Sequence, residues 1–494
     1  MSIERILYSL REIKSRRVQR TSADELLSLR EACRLLGADL PQCADPEKKL
    51  SMICCFEGVF LKDCLYVQDE RNEDGSARNA MRRGAYAILS NHQIDDYPCI
   101  IVDDVFGAVN HLLQPLAKKL HIPTTVITGS VGKTTTKNFI NCVYSSYANT
   151  FCNITNGNSF GYVGFELQRF DRKAKLFVQE VNESDPHNTL NASEVLKPEI
   201  AVITNIDKSH IGELGGEENI KRAICEITAG MDETGIVIIN ADEPNSKGLT
   251  FQQRIVSVGI KDTSADCVAS NIVSASADRM EFDVSYDGET AHLIIPVTGT
   301  HNVYDAMMAF VAGRLSSIPT ETIKKGLQKY RPLGFRQNTY RSGSNTIYAD
   351  CYNASAKSIK SALEVLNRQS VKPGARKIAV LGDIAEIDGF KEDIYRDVAE
   401  SVSASDADVL ITYGTDSKMV HDHLSRQIEA WHESSFDGLC GRINSIKGKN
   451  DVFLFKASRS MNLEKAIKKT FPIAYAKGML PVVLAYGKWT LKTL

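Results

Sequence analysis

Several features that would assign a protein early are missing from this chain. Its twelve cysteines are scattered. Cys54 and Cys55 are adjacent and no C-x-x-C pair occurs, which excludes a zinc ribbon and a disulfide framework and leaves reduced, mostly buried thiols. No run of about 18 apolar residues exists to span a membrane. The start, Met1-Ser2-Ile3-Glu4-Arg5, lacks an apolar stretch of signal-peptide length, so a cytoplasmic protein without membrane insertion is expected. An excess of one charge is absent too: Lys plus Arg total 59 against 61 for Asp plus Glu. That balance gives no field for nucleic acid or a lipid surface. Repeats and low-complexity tracts are also absent. What remains is a soluble chain of 494 residues, 43% apolar, enough for roughly three domains of about 150 residues and for chemistry on small molecules.

The most informative stretch is Thr128-Gly129-Ser130-Val131-Gly132-Lys133-Thr134-Thr135. It joins an apolar strand, Thr125-Val126-Ile127, to a helix-like run through a glycine-bounded turn that ends in lysine. Backbone N–H groups of such a turn form an anion cradle, and the helix N-terminus adds partial positive charge. Lys133 can then reach the β- and γ-phosphates of a nucleotide, and the Thr134 hydroxyl can ligate Mg²⁺. The loop is a short form, with Ile127 where the common phosphate loop has glycine. The competing reading is an ordinary strand-to-helix turn with a surface lysine.

Helical spacing of Ile6, Leu7, Leu10 and Ile13, then of Leu26, Leu27, Leu29, Leu35 and Leu36, predicts two short amphipathic helices. Strand patterns at 65–67, 84–89 and 98–102 alternate with a helical Ala77–Arg83, which predicts a small α/β unit. Further on, apolar runs at 176–178, 200–203 and 235–239 read as buried parallel strands. Their polar carboxyl ends bring Glu180, Asn205, His210, Asn240 and Asp242 to the edge where open α/β sheets bind ligands. After Arg331, runs at 346–349, 377–381, 409–412 and 452–455 predict another doubly wound domain. The fold class is therefore α/β: a small N-terminal α/β domain, a central parallel sheet of the phosphate-loop ATPase type, and a C-terminal Rossmann-like domain.

In order along the chain, these motifs resemble the Mur ligase family of ATP-dependent amide-forming enzymes. The resemblance rests on Thr128 to Thr135, Gln179-Glu180, Ala201-Val202-Ile203-Thr204-Asn205-Ile206 with His210, and Gly299-Thr300-His301-Asn302-Val303-Tyr304-Asp305-Ala306. Further motifs are Gly334-Phe335-Arg336, Asp350-Cys351-Tyr352-Asn353-Ala354-Ser355, Leu381-Gly382-Asp383 with Glu386, and Lys456-Ala457-Ser458-Arg459-Ser460-Met461 with Glu464. They look like the branch that joins D-alanyl-D-alanine to a UDP-muramyl-tripeptide. The resemblance implies a UDP-substrate domain over 1–120, an ATP-binding domain over 121–330 and a ligase domain over 331–494; separately, a monomer is expected.

It also implies a chemistry. ATP would phosphorylate a carboxylate, and an amine would attack the acyl phosphate, a task of charge neutralisation and alignment that needs no nucleophilic side chain. Thr134, Glu180 and His210 would hold Mg²⁺ ions, with Lys133, Glu180 and His210 as the reacting centre's main residues. Glu180 could also be a solvated strand-end acid, and His210 a structural histidine. Asn302 would lie near adenine, Arg336 on the phosphates and Asp350 near the ribose; for Arg336 the other reading is a domain-linking salt bridge. Asn158, Tyr352, Asn353, Lys456, Ser458 and Arg459 would hold the muramyl and amine substrates. Asn353 could equally cap the following helix.

Some positions depart from the family. Most members carry a carbamylated lysine, a ligand of the second metal ion, where this chain has Ile224. Glu226, water, or less readily Lys221 would have to substitute, or the second ion would bind weakly. Asn158-Ser159-Phe160-Gly161 keeps one asparagine of a pair, Phe56-Glu57-Gly58 replaces an Asp-Ser-Arg triplet, Asp305 replaces asparagine and Ala356 replaces proline. ATP features persist better than acceptor features. A ligase with other substrates, or a degenerate nucleotide-binding member, remains the alternative.

Overall fold

The computed structural model describes residues 27–55, 62–68, 74–120, 122–153, 157–168, 170–184, 187–276, 278–332 and 334–472. The helix expected around Ile6–Ile13 and the triplet Phe56-Glu57-Gly58 lie outside the described residues. Of the helix expected at 26–36, Leu29–Leu36 forms. Ser28 Oγ accepts from Glu31 N (3.1 Å), the Glu31 carboxylate accepts from Ser28 N (2.6 Å), and Gly37 ends the helix at φ 63°. This pairing of caps satisfies donors that the first turn would leave orphaned. The Ser28 backbone N–H, with help from Lys49, holds the Glu31 carboxyl down to about 2. The first sheet is parallel, in the order β1 (Ile53–Cys54), β2 (Leu65–Val67), β3 (Ala87–Ser90) and β4 (Cys99–Ile101).

The central sheet has nine strands. They are β5 (Thr124–Thr128), β6 (Thr150–Cys152), β7 (Leu176–Glu180), β8 (Ile200–Ile203), β9 (Ile236–Asn240), β10 (Arg254–Gly259), β11 (Cys267–Ser276), β12 (Arg279–Tyr286) and β13 (Glu289–Ile295). Their spatial order is β13-β12-β11-β10-β9-β8-β5-β7-β6. Every residue of β5, β7 and β8 is buried, because helices cover both faces. Side chains alternate between the two cores: Val126, Phe177 and Ala201 face one, Ile127, Val178 and Val202 the other. From β11 through β6 the sheet is parallel, as the sequence reading expected, and an antiparallel extension follows at one edge. β11, β12 and β13 pair antiparallel. Their inward residues, such as Phe282, Val284 and Leu293, alternate with polar ones, so no continuous apolar run marks them.

The third sheet runs β14 (Asn338–Ser342), β15 (Asn345–Asp350), β19 (Val452–Lys456), β16 (Lys377–Gly382), β17 (Val409–Tyr413) and β18 (Glu429–Glu433). All its pairings are parallel except the β14–β15 edge hairpin. In both larger sheets the chain reverses its direction of strand addition, around β5 in one and around β19 in the other. Such switch points open a crevice beyond the strand ends, which is where ligands bind.

Candidate active site

The two crevices face each other across an open cleft of about 3550 Å³, lined among others by Lys133, Glu180, His210, Arg336, Asp350 and Lys456. On the central side the chain leaves β5 through Gly129 at φ 126°. A Cβ at this glycine would lie 2.3 Å from Thr204 Oγ1 and 2.8 Å from the Asn205 carbonyl. The loop is then tied to the end of β8: Ser130 N donates to Asn205 O (3.0 Å), Val131 N to Asn205 Oδ1 (3.1 Å) and Asn205 Nδ2 to Val131 O (2.7 Å). Asn205, expected among the ligand-facing strand ends, thus shapes the loop. Gly132, at φ 91°, begins helix Lys133–Ser145 with no side-chain cap. The first N–H groups of that helix are left for an anion. Gly129→Ala is expected to cost about 2 kcal/mol or more of stability, since its contacts are partly backbone and cannot swing away. Urea unfolding measures this, and a wild-type midpoint would contradict the close packing.

Lys133 is buried, which removes the surface-lysine reading. Its Nζ donates to both oxygens of Glu183 (2.8 and 3.0 Å) and to the Gly129 carbonyl. Glu180 is also buried rather than solvated. Its Oε1 accepts from Thr134 Oγ1 (3.0 Å) and Asn158 Nδ2 (2.8 Å). Its Oε2 has no hydrogen-bond partner and lies 3.6 Å from Lys137 Nζ. A hydroxyl beside a dry carboxylate with a spare oxygen suits a hard cation such as Mg²⁺. Thr135 is buried in the first turn of the helix, at the cleft wall.

His210, at φ 59°, points its Nδ1 at Glu386 (2.6 Å) and Glu213 (3.5 Å). Burial pulls this imidazole down, but the facing carboxylates of Glu213 and Glu386 overcome it and raise the group to about 9. Ligand atoms of His210, Glu213 and Glu386 lie within 4.8 Å of one another, which suits a cation. Glu386 follows β16, so this contact also joins the two crevices. Lys208 to Asp397 (3.8 Å), Lys357 to Glu243, and Arg368 to Thr300 (2.7 Å) bridge them as well.

On the C-terminal side, register places Asp350 opposite Lys456 at adjoining strand ends. The two form a buried ion pair at 3.0 Å, and Lys456 Nζ also donates to the Asn353 carbonyl. The Arg336 guanidinium stacks over Tyr352 at 4.2 Å. Among the described residues it makes this cation–π contact and no salt bridge. Ser458 Oγ accepts from Ala385 N (2.9 Å), and Arg459 pairs with Glu464 (2.7 Å). Helix Ala356–Asn367 is capped by Ser355 in a capping box with Ser358. Asn353 is therefore not its cap, and it remains on the cleft wall. Asn302 is wholly buried and donates to the Thr298 carbonyl (2.7 Å), with its Oδ1 unpartnered. Thr300, His301 and Tyr304 line the cleft around it. Asp242 accepts from Tyr304 Oη and from the N–H groups of Ile260, Lys261 and Asp262, and Asn240 accepts from Asp242 N, so these two strand-end residues hold a turn.

Asp305 lies beneath the loop, accepting from Thr136 Oγ1 (2.8 Å). Burial pushes its carboxyl up to about 7. A raised carboxyl binds its proton more tightly in the folded state, so this group's contribution to stability falls as pH rises from about 4 to about 7. The loss is on the order of 4 kcal/mol at most. Asp305→Asn is expected to melt higher than wild type at pH 8 and to lose the advantage near pH 5. Equal melting differences at both pH values would contradict the assignment.

Comparison with known proteins agrees with this geometry. Residues 127–313 match the Mur ligase middle domain, and residues 336–459 match the Mur ligase, glutamate ligase domain. The UDP-N-acetylmuramoyl-tripeptide--D-alanyl-D-alanine ligase of Bacillus subtilis is 30% identical over 400 residues, covering 79% of this chain and 85% of that protein. The chain belongs to the Mur ligase family. The Escherichia coli protein of the same name is 26% identical, covering 82% of this chain and 90% of its own. In fold, a MurF crystal structure from Acinetobacter baumannii superposes with a TM-score of 0.80 at 21% identity, over 90% of this chain and 99% of that one. The MurF ligase of Thermotoga maritima in complex with ADP gives 0.73 at 18% identity, over 85% and 96%.

Within this Mur ligase, Ile224 is wholly buried among apolar side chains of helix Glu217–Cys225. Glu226 turns to His187 (3.8 Å). Neither supplies a ligand in the manner of the usual lysine. Sequence reasoning missed two charged residues at the loop: Lys137, one helical turn beyond Lys133, and Glu183, three residues beyond Glu180. The second could have been found by asking which acid answers a buried lysine. Among the described residues no helix is long and apolar enough to cross a membrane.

Proposed function

We propose that this enzyme joins D-alanyl-D-alanine to UDP-N-acetylmuramoyl-tripeptide with ATP, through an acyl phosphate. The observation that carries the reading is the meeting, across one cleft, of the loop bearing Lys133 and the Thr134–Glu180 pair with Arg336, Asp350 and Lys456. Kinship with ligases of that name supports the choice of substrates.

Backbone groups of Gly129, Ser130, Val131 and Gly132, with Thr135 in the first helical turn, receive the β- and γ-phosphates. Lys133 follows the γ-phosphoryl charge into the transition state. Thr134 and Glu180, and His210, would hold Mg²⁺, which would supply charge neutralisation at the phosphates. Arg336 clamps phosphate oxygens from the opposite wall, Asp350 receives the ribose, and Asn302 supports the adenine side. The muramyl carboxylate, near Asn158, attacks the γ-phosphorus and ADP leaves. The amine, held by Tyr352, Asn353, Lys456, Ser458 and Arg459, attacks the acyl carbon; phosphate leaves and the nitrogen gives up its proton. On this reading residues 1–120 serve the UDP substrate, 121–330 ATP and 331–494 the amine.

The test is phosphate release with ATP, Mg²⁺ and UDP-muramyl-tripeptide, with and without D-alanyl-D-alanine. Release that needs both substrates is the expected result. Release only with another carboxylate and amine would identify a ligase with different substrates, which the reduced asparagine pair at Asn158 favours. Silence across a broad panel, with nucleotide still bound, would mark a degenerate member.

A further inference from the structure

The carboxylate of Glu183 is entirely withdrawn from solvent, and the cation it pairs with is Lys133. Lys133 spends its remaining donors on its own loop, at the Gly129 and Ser130 carbonyls. Without nucleotide, the phosphate lysine is therefore fully engaged inside the protein. A γ-phosphate that recruits it must displace one of these acceptors, and Glu183, which takes two of the contacts, is the one that bears charge.

That exchange leaves an ionised carboxylate in a dry site, a state that is costly unless another cation arrives. The neighbouring lysine and imidazole already face other groups. Lys137 lies between Glu180 (3.6 Å) and the Asn153 carbonyl (3.4 Å), and His210 is held by Glu386 (2.6 Å). Ile224 contributes no charge. The same reach that lets Glu183 touch Lys133 Nζ lets it meet an ion carried in on the phosphates.

We propose that Glu183 is an anionic gate on Lys133 and becomes a ligand of the divalent cation that enters with the nucleotide. This makes nucleotide binding conditional on the metal. It rests on the reading of Lys133 as the phosphate lysine.

Calorimetric titration of ADP and of a non-hydrolysable ATP analogue into the full chain, in EDTA and in Mg²⁺, tests it. Glu183→Gln keeps the shape and removes the charge. In EDTA the variant is expected to bind at least about tenfold tighter than wild type, and in Mg²⁺ about tenfold weaker, the size of loss typical of a removed metal-site group. The ratio of the two affinities therefore collapses. Glu183→Asp, which retains the charge, should keep that ratio within about threefold of wild type. Glu183→Gln affinities that shift equally in both media, or not at all, overturn the proposal, as does a collapse in Glu183→Asp as large as that in Glu183→Gln. The Asp variant also serves if the Gln variant fails to fold. Lys133→Ala separates the two claims: unchanged nucleotide affinity in both media would overturn the phosphate-lysine reading itself.

Discussion

Lys133→Ala lowers turnover by more than about a hundredfold, the usual result of removing a preorganised charge from a phosphoryl-transfer site. The lysine begins helix Lys133–Ser145, and the rigid loop beneath it fixes its Cα, so no neighbouring cation can take its place. Lys137, one turn later, is turned toward Glu180 (3.6 Å). Truncation also strands Glu183, whose carboxylate is buried against this one ammonium. The variant should therefore lose stability, by about 3 kcal/mol, as expected when one partner of a buried pair is removed. Steady-state phosphate release and urea unfolding measure the two effects. Near-normal turnover in a folded variant would sink the active-site assignment.

Glu180→Gln should be nearly as damaging, for a different reason. The wild-type carboxylate accepts from Thr134 Oγ1 and Asn158 Nδ2 through one oxygen and presents the other toward Lys137. An amide of the same shape can keep the first two bonds only by turning its NH₂ toward an ammonium. A neutral oxygen is also a poor ligand for a hard divalent cation. The expected outcome is a loss of about a hundredfold in kcat/KM at ordinary Mg²⁺, partly recovered at high Mg²⁺. Titrating activity against Mg²⁺ checks it, and an unchanged metal requirement would remove Glu180 from the proposed ligand set.

The phosphate loop was legible because its chemistry and its backbone share one short segment. Glycines at 129 and 132, the lysine and the threonine are neighbours in sequence as they are in space. Glu180 and His210 were legible at one remove, because a buried parallel strand delivers whatever follows it to the sheet's carboxyl edge. The 267–295 hairpins were not, since half-buried antiparallel strands carry alternating patterns that continuous-run arguments pass over. Nor could spacing show that Asn205 would serve the loop, or that Asp242 would hold a turn. Short polar side chains bond whichever backbone groups lie near, and long-range packing decides which those are.

By itself, the sequence determined the α/β class, the phosphate cradle and the strand ends that bear charge, because these follow from periodicity and local backbone chemistry. Tertiary structure alone decided the pairings: Lys133 with Glu183, His210 with Glu386, and Asp350 with Lys456. The His210 and Asp350 partners stand more than a hundred residues apart in the chain. Even for Lys133 and Glu183, separated by fifty residues, parallel strand order and loop direction set the partner. Coulomb attraction falls with distance in space and is blind to distance along the chain, so only the folded arrangement of strand ends could choose among them.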